Sequence, residues 1–184
     1  RVGKFAGIDV YIHTTFLLLL GWIGVSALLQ GNTPLAALSS IGFIMALFAC
    51  VVLHEFGHAL MARRFGVKTR DITLLPIGGV ARLERIPDNP VHELWVALAG
   101  PAVNVVIGGA LFVGLLAAGA LQPLRVFSMT GGPFLGRLMI VNLLLVVFNM
   151  IPAFPMDGGR VLRALLALRL EYTRATQIAA RVGQ

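Results

Sequence analysis

Four long apolar runs, each set off by a short polar or glycine- and proline-containing break, dictate how this chain can fold. They cover about 11–29, 35–61, 93–121 (with Gly100-Pro101 inside it) and 135–151, the last ending at Pro152. A helix needs about 20 apolar residues to cross the hydrocarbon core of a bilayer, and each run meets or approaches that length. Composition agrees: 58% of the 184 residues are hydrophobic and 12% are charged, whereas soluble domains carry about 25% charged residues. The mean hydropathy is +0.88. So short a chain cannot bury this much apolar surface in its own interior, so lipid must cover the remainder, which excludes a soluble enzyme.

The expected fold class is therefore an all-α integral-membrane helix bundle of four or more transmembrane helices, one membrane-embedded unit over 1–184. A different texture separates the second and third runs. Residues 68–84 carry β-branched residues on either side of Pro76 and Gly78-Gly79, a pattern that predicts a small membrane-associated β-hairpin. Beyond the fourth run, 158–184 is helical in pattern but carries Arg160, Arg163 and Arg169, so its start reads as interfacial or packed against the bundle rather than spanning.

The net charge of +7 does not point to nucleic acid, because the basic residues lie between the apolar runs and form no single stripe. They read as topology determinants. If the four spans alternate, every Lys and Arg except Arg125 and Arg137 falls on one side, which places both ends in the cytoplasm. The single cysteine, Cys50, excludes an internal disulfide framework. No cleavage site of a signal peptide follows the first run, and the chain, which begins at Arg1 rather than Met, is expected to be a stretch of a longer protein.

Within the second run lies His54-Glu55-Phe56-Gly57-His58, an H-E-x-x-H pattern. On a helix, positions i and i+4 are about 40° apart in azimuth and one turn apart in height, so both imidazoles can grip one metal ion. Zinc suits neutral imidazole nitrogens, and Glu55 is placed to take a proton from a water on that ion. The bland alternative, two His and a Glu satisfying one another in a bundle, is disfavoured because ionisable groups inside an apolar span are expensive. A catalytic zinc generally has three protein ligands, and the chain has only eight acidic residues. Asp157, in Phe154-Pro155-Met156-Asp157-Gly158-Gly159-Arg160, is a candidate. Taken locally it reads rather as an N-cap for the helix starting near Gly158, and the two roles need not exclude one another.

These motifs together resemble the site-2 protease family of intramembrane zinc metalloproteases. The likeness rests on His54-Glu55-Phe56-Gly57-His58 and on Asn149-Met150-Ile151-Pro152-Ala153-Phe154-Pro155-Met156-Asp157-Gly158-Gly159-Arg160. It extends to Gly7-Ile8-Asp9-Val10, Pro76-Ile77-Gly78-Gly79-Val80 and Ala99-Gly100-Pro101-Ala102-Val103-Asn104. The resemblance implies one zinc ion per chain, with His54, His58 and Asp157 as ligands and Glu55 as the catalytic base. It also favours Asn149 as a substrate or oxyanion contact. By the same resemblance the substrate is a membrane protein with a transmembrane segment, cut in or near the bilayer of a prokaryotic cell membrane. The final stretch, Tyr172 to Gln184, is similar to the lead into a further span in family members that carry a nucleotide-sensing CBS module.

Gly78 and Gly79 mark the hairpin as a strand edge on which an unwound substrate can lie. Asn104 reads as helix-packing glue, Cys50 as a small buried filler, and His13 and His92 as interfacial polar groups. The alternatives are a zinc-binding membrane transporter, in which the ligands form a transit site, and a non-catalytic membrane scaffold. Glu55 discriminates between them, because a transit site tolerates its replacement by Gln and a hydrolase does not.

Overall fold

The computed structural model describes residues 1–76, 78–85, 89–121 and 133–183. Ile77 of the hairpin turn, Arg125 and Gln184, all invoked above, lie outside the described residues. The chain opens with strands β1 (Gly3–Phe5) and β2 (Ile8–Ile12), followed by helices α1 (Thr14–Leu29) and α2 (Pro34–Arg64). Strands β3 (Thr69–Leu75) and β4 (Gly78–Leu83) precede α3 (Pro90–Ala117), α4 (Phe134–Asn149), α5 (Asp157–Ala167) and α6 (Tyr172–Val182).

Local signals set the helix ends. Thr33 caps α2, its hydroxyl accepting from Ala36 N at 3.2 Å, and Pro34 occupies the first turn, where its missing N–H costs nothing. The other end closes in a Schellman motif: Val67 N donates to Ala62 O, Gly66 N donates to Arg63 O, both at 3.0 Å, and Gly66 takes φ +76°. Arg63 and Arg64 lie in that last turn, where cations are favoured by the helix dipole. Asn89 caps α3 through Val91 N at 2.8 Å.

At 1.5 Å per residue, the 31 residues of α2 and 28 of α3 exceed the ~30 Å hydrocarbon thickness. Only 17% of the most apolar window of α2, and 33% of that of α3, is buried inside the protein. They are thus not core helices of a soluble fold, and their outward surface calls for lipid. Helices α1 and α4 are apolar but have 16 residues each, about 24 Å, so among the described residues α2 and α3 are the helices long and apolar enough to cross a bilayer by length and composition. The C-terminal segment is two short helices, α5 and α6, separated at 168–171.

The predicted hairpin is present as β3 and β4, antiparallel with Leu75 opposite Gly78, but it is half of a larger unit. The N-terminal strands join it in one four-stranded sheet of order β1-β2-β3-β4, with β2 parallel to β3 in the register Val10 to Ile72. Parallel strands need a crossover connection, and the α1–α2 helix pair supplies it. Alternation puts Ile8, Val10, Ile72 and Leu74 on the buried face, against Phe48 and Ala59 of α2 and Phe16 of α1. The sheet therefore docks on the half of α2 that carries His54 and His58. A wholly apolar hollow of about 600 Å³ between β1–β2 and α2, bordered by Phe5, Phe16 and Phe48, contains no ligand residue of that pair.

Helices α2 and α3 approach closely at Gly57, where an added Cβ would fall 2.6 Å from Ala99 O and 2.9 Å from Val103 Cγ2. Because the first neighbour is backbone, Gly57→Ala must push the helices apart. It is expected to destabilise the detergent-solubilised protein by about 1–3 kcal/mol, read as a shifted midpoint in chemical unfolding.

Candidate metal centre

His54 and His58 lie on the buried side of α2, 5% and 3% exposed, and Asp157 is 8% exposed. Their side chains converge on one point from two directions. His54 Nε2 lies 3.1 Å from His58 Nε2, and Asp157 Oδ2 lies 3.1 Å and 3.2 Å from the two nitrogens. The N-cap of α5 is Met156, with no side-chain cap bond. Asp157 is thus the first residue of the helix, its carboxylate turned to the imidazoles rather than back onto its own backbone. Arg160 Nη1 stands 4.0 Å from its other oxygen.

The proton positions follow from the partners on the far side of each ring. His58 Nδ1 is 2.7 Å from Val96 O; a carbonyl only accepts, so Nδ1 carries the hydrogen and Nε2 presents a lone pair. For His54 the assignment is fixed through a chain of amides. Asn142 Nδ2 donates to Leu138 O at 2.8 Å, which turns Asn142 Oδ1 toward Asn104. Asn104 Nδ2 donates to that oxygen at 3.3 Å, so Asn104 Oδ1 faces His54 Nδ1 at 2.9 Å. His54 Nδ1 is then the donor, and its Nε2 presents a lone pair too. With both rings in these neutral tautomers, three acceptor atoms meet inside the protein, an arrangement suited to a bound metal ion. For ligands about 2.0–2.1 Å from a tetrahedral zinc, the ligand-to-ligand edges are about 3.3–3.4 Å, close to the separations seen. The donor set of two imidazoles and a carboxylate oxygen also fits zinc.

Space for an ion is kept by Gly100. A Cβ there would fall 2.2 Å from His58 Nε2 and 2.7 Å from His54 Nε2. Gly158 and Gly159 let the first turn of α5 lie on the backbone of the preceding loop, where added Cβ atoms would meet Ile151 O at 2.3 Å and Phe154 N at 2.8 Å.

Glu55 borders a cavity of roughly 170 Å³ together with His54, Gly78, Gly79, Phe148 and Asn149. A Cβ on Gly79 would lie 2.8 Å from Glu55 Cγ, so β4 passes directly over the acidic side chain. Asn149 is brought to this cavity as the motif suggests, although its amide donates to Leu145 O at 2.9 Å within its own helix. Cys50 is buried and accepts from Asn142 Nδ2 at 3.5 Å, outside the converging set. His13 caps α1, accepting from Thr15 N at 3.3 Å, and His92 stacks on Phe65 with centroids 4.1 Å apart; neither joins the centre. Asn104, expected only to pack helices, instead orients His54. A wholly buried amide 50 residues from its partner leaves no local signal in the sequence.

Two outcomes are expected. Gly100→Ala abolishes metal binding while leaving the helix content unchanged by circular dichroism. Asn104→Ala frees the His54 ring and weakens zinc about 10–100-fold in a chelator competition titration.

The family model described as peptidase family M50 matches residues 42–130 and 116–184. A zinc metalloprotease of Methanocaldococcus jannaschii is 41% identical over 184 residues, 100% of this chain and 50% of that protein. A Synechocystis relative is 39% identical over 195 aligned residues, 100% of this chain and 48% of its own. The chain thus spans about half the length of these curated relatives. Among solved structures, the site-2 protease from Methanocaldococcus jannaschii superposes with a TM-score of 0.71 at 40% identity, covering 100% of this chain and 78% of that one. Converging zinc-type ligands, an acidic side chain beside them, apolar spanning helices and these likenesses agree, and the chain belongs to peptidase family M50, the membrane-embedded site-2 proteases.

Proposed function

We propose that this chain is the catalytic core of an intramembrane zinc metalloprotease, hydrolysing peptide bonds in or near transmembrane segments of membrane-bound regulatory proteins. The observation that carries the reading is the meeting of three acceptor atoms, from His54, His58 and Asp157, beside a carboxylate that opens on a cavity. In this reading those three residues hold one zinc ion, and residues 1–184 act as a single membrane-embedded unit. Bound zinc supplies a Lewis acid and makes water an effective nucleophile near neutral pH.

The remaining steps belong to the protein's own groups. Glu55, one residue from a ligand and at the cavity wall, takes the proton of the attacking water and returns it to the leaving amine nitrogen. Asn149, across the cavity on α4, turns its amide from Leu145 O to the oxygen that gains charge as the carbonyl is attacked. A helical substrate hides its carbonyls in internal hydrogen bonds and must unwind before cleavage. In the order β1-β2-β3-β4, β4 has no strand on its outer side among the described residues. Its edge at Gly78 and Gly79, over Glu55, suits an unwound segment added as a further strand.

The site lies roughly 11 Å along α2 from its basic end, at Arg63 and Arg64. With the basic residues gathered on one side, this supports a cytoplasmic location for both ends and entry of water from that face.

The test uses the purified full-length protein. Zinc content of about one per chain is expected, lost in His54→Ala and in Asp157→Ala. Zinc retained in Asp157→Ala would remove that residue from the ligand set. Glu55→Gln is expected to keep the metal and lose turnover by about 10²–10⁴-fold on single-span reporter proteins co-reconstituted in liposomes. Undiminished turnover would remove Glu55 as the base, and zinc bound by the wild type without any cleavage would favour a transit site.

A further inference from the structure

Two of the three converging side chains share one helix, and the geometry of α2 sets their separation. Asp157 comes from α5, a separate helix of 11 residues that reaches the centre only if it is held in one position against the bundle. The glycine pair at its start permits close approach but does not choose a register, since small residues attract nothing in particular.

A second polar contact makes that choice. Glu93, in the first turn of α3, is 0% exposed, and Arg163 of α5 is 8% exposed. Arg163 Nε donates to Glu93 Oε1 at 2.8 Å, and Arg163 Nη2 donates to the same oxygen. The guanidinium lies 5.3 Å from the ring centroids of both Phe154, in the loop before Asp157, and Tyr172, at the start of α6. Burial, and then the Glu93 carboxylate, push the Tyr172 phenol up, in keeping with its place beside the pair. One ion pair thus ties together α3, the loop that carries Asp157, α5 and the entry to α6.

Stability does not account for such a pair. Burying two charges costs desolvation that their attraction only roughly repays, and apolar side chains of equal volume serve a core as well or better. Glu93 Oε2, moreover, is buried with no hydrogen-bond partner among the described residues. What a buried pair supplies that apolar contacts lack is direction, because it is satisfied in one register and penalised in the others. The spacing on α3 shows what that register serves. Val96 O holds His58, Gly100 leaves room at the centre and Asn104 holds His54. Glu93 lies one turn before Val96, on the same stripe of the helix.

We propose that the Glu93–Arg163 pair is a positioning device for the third ligand, clamping α5 to α3 so that Asp157 is held within coordinating distance of His54 and His58. The proposal rests on the reading of Asp157 as a ligand, and the experiment keeps the two apart.

Cobalt(II) is titrated into the metal-free full-length protein in detergent, and its visible absorption is recorded. The bands are intense when protein ligands enforce four-coordination and weak when water replaces one of them. Glu93→Gln is expected to bind cobalt at least tenfold more weakly, with a spectrum that approaches that of Asp157→Ala. In the Asp157→Ala background, Glu93→Gln is expected to cause no further loss, because the clamp then has nothing to place. The double variant Glu93→Leu/Arg163→Met, which removes both charges together, is expected to fold and to show the same weakened, water-rich cobalt site. Wild-type affinity and spectrum in Glu93→Gln or in the double variant overturn the proposal. So does a loss that multiplies with Asp157→Ala, which marks damage to the whole protein, and so does failure of both variants to fold, which assigns the pair to bundle formation. An Asp157→Ala variant with unchanged cobalt binding overturns the ligand assignment and the clamp with it.

Discussion

Two imidazole nitrogens and a carboxylate oxygen, each offering electrons and none a proton, point at one another inside an apolar helix bundle. Much of the surrounding structure follows from having to hold that arrangement in place. The outer nitrogen of each imidazole needs a partner that accepts, so that the inner one keeps its lone pair. Val96 O provides this directly for His58. For His54 the role falls to an amide, which either end of could face the ring, and two further bonds ending on a backbone carbonyl remove the ambiguity. A carbonyl cannot donate, so the polarity of the whole chain is set at Leu138 and delivered to the centre.

Helix α3 is the ruler of this assembly. Glu93, Val96, Gly100 and Asn104 fall at steps of three and four along it, one stripe of a helix, and every one of them meets the centre or the helix that brings its third member. Pro101 lies within this stripe. It withholds the N–H that would bond Ala97 O, loosening the helix where the imidazoles press in. Close approach at Gly57 then seats α2 against the stripe. The bilayer stabilises the exterior of these helices, but it has no preference between one register of α3 and another. Sterics at glycines and directional bonds must make that choice.

The sheet plays a complementary part. Its buried face, with Ile72 at 0% exposure, packs on α2 behind the two histidines, and its β4 edge passes over Glu55, where a Cβ added at Gly79 would press on Glu55 Cγ at 2.8 Å and Val51 Cγ1 at 3.2 Å. One small sheet thus supports the helix that carries His54 and His58 and walls the cavity in front of it. The same glycine leaves backbone, rather than side chain, bordering the cavity.

The sequence by itself determined the membrane setting, because 58% hydrophobic content leaves a short chain no interior large enough to hide it. It determined the pairing of His54 with His58, since a period of 3.6 puts i and i+4 on one side of any helix. It also determined the hairpin, since Pro76 and the glycines beside it interrupt the β-branched runs, although Gly78 and Gly79 fall in β4 rather than in the turn itself. Each of these depends on residues close together in the chain. Tertiary structure decided what depends on distant ones. The parallel pairing of β2 with β3 joins residues some sixty positions apart, and no local pattern distinguishes a hairpin that stands alone from one extended by an N-terminal strand. For Asp157, local sequence favoured a cap, and only the fold of the loop before α5 turned its carboxylate to the imidazoles. Asn104 and Glu93 each read as an isolated polar residue in an apolar run. Their meaning lies in their partners, His54 and Arg163, which reach them from other helices by packing, and packing is a property of the assembled bundle rather than of any segment within it.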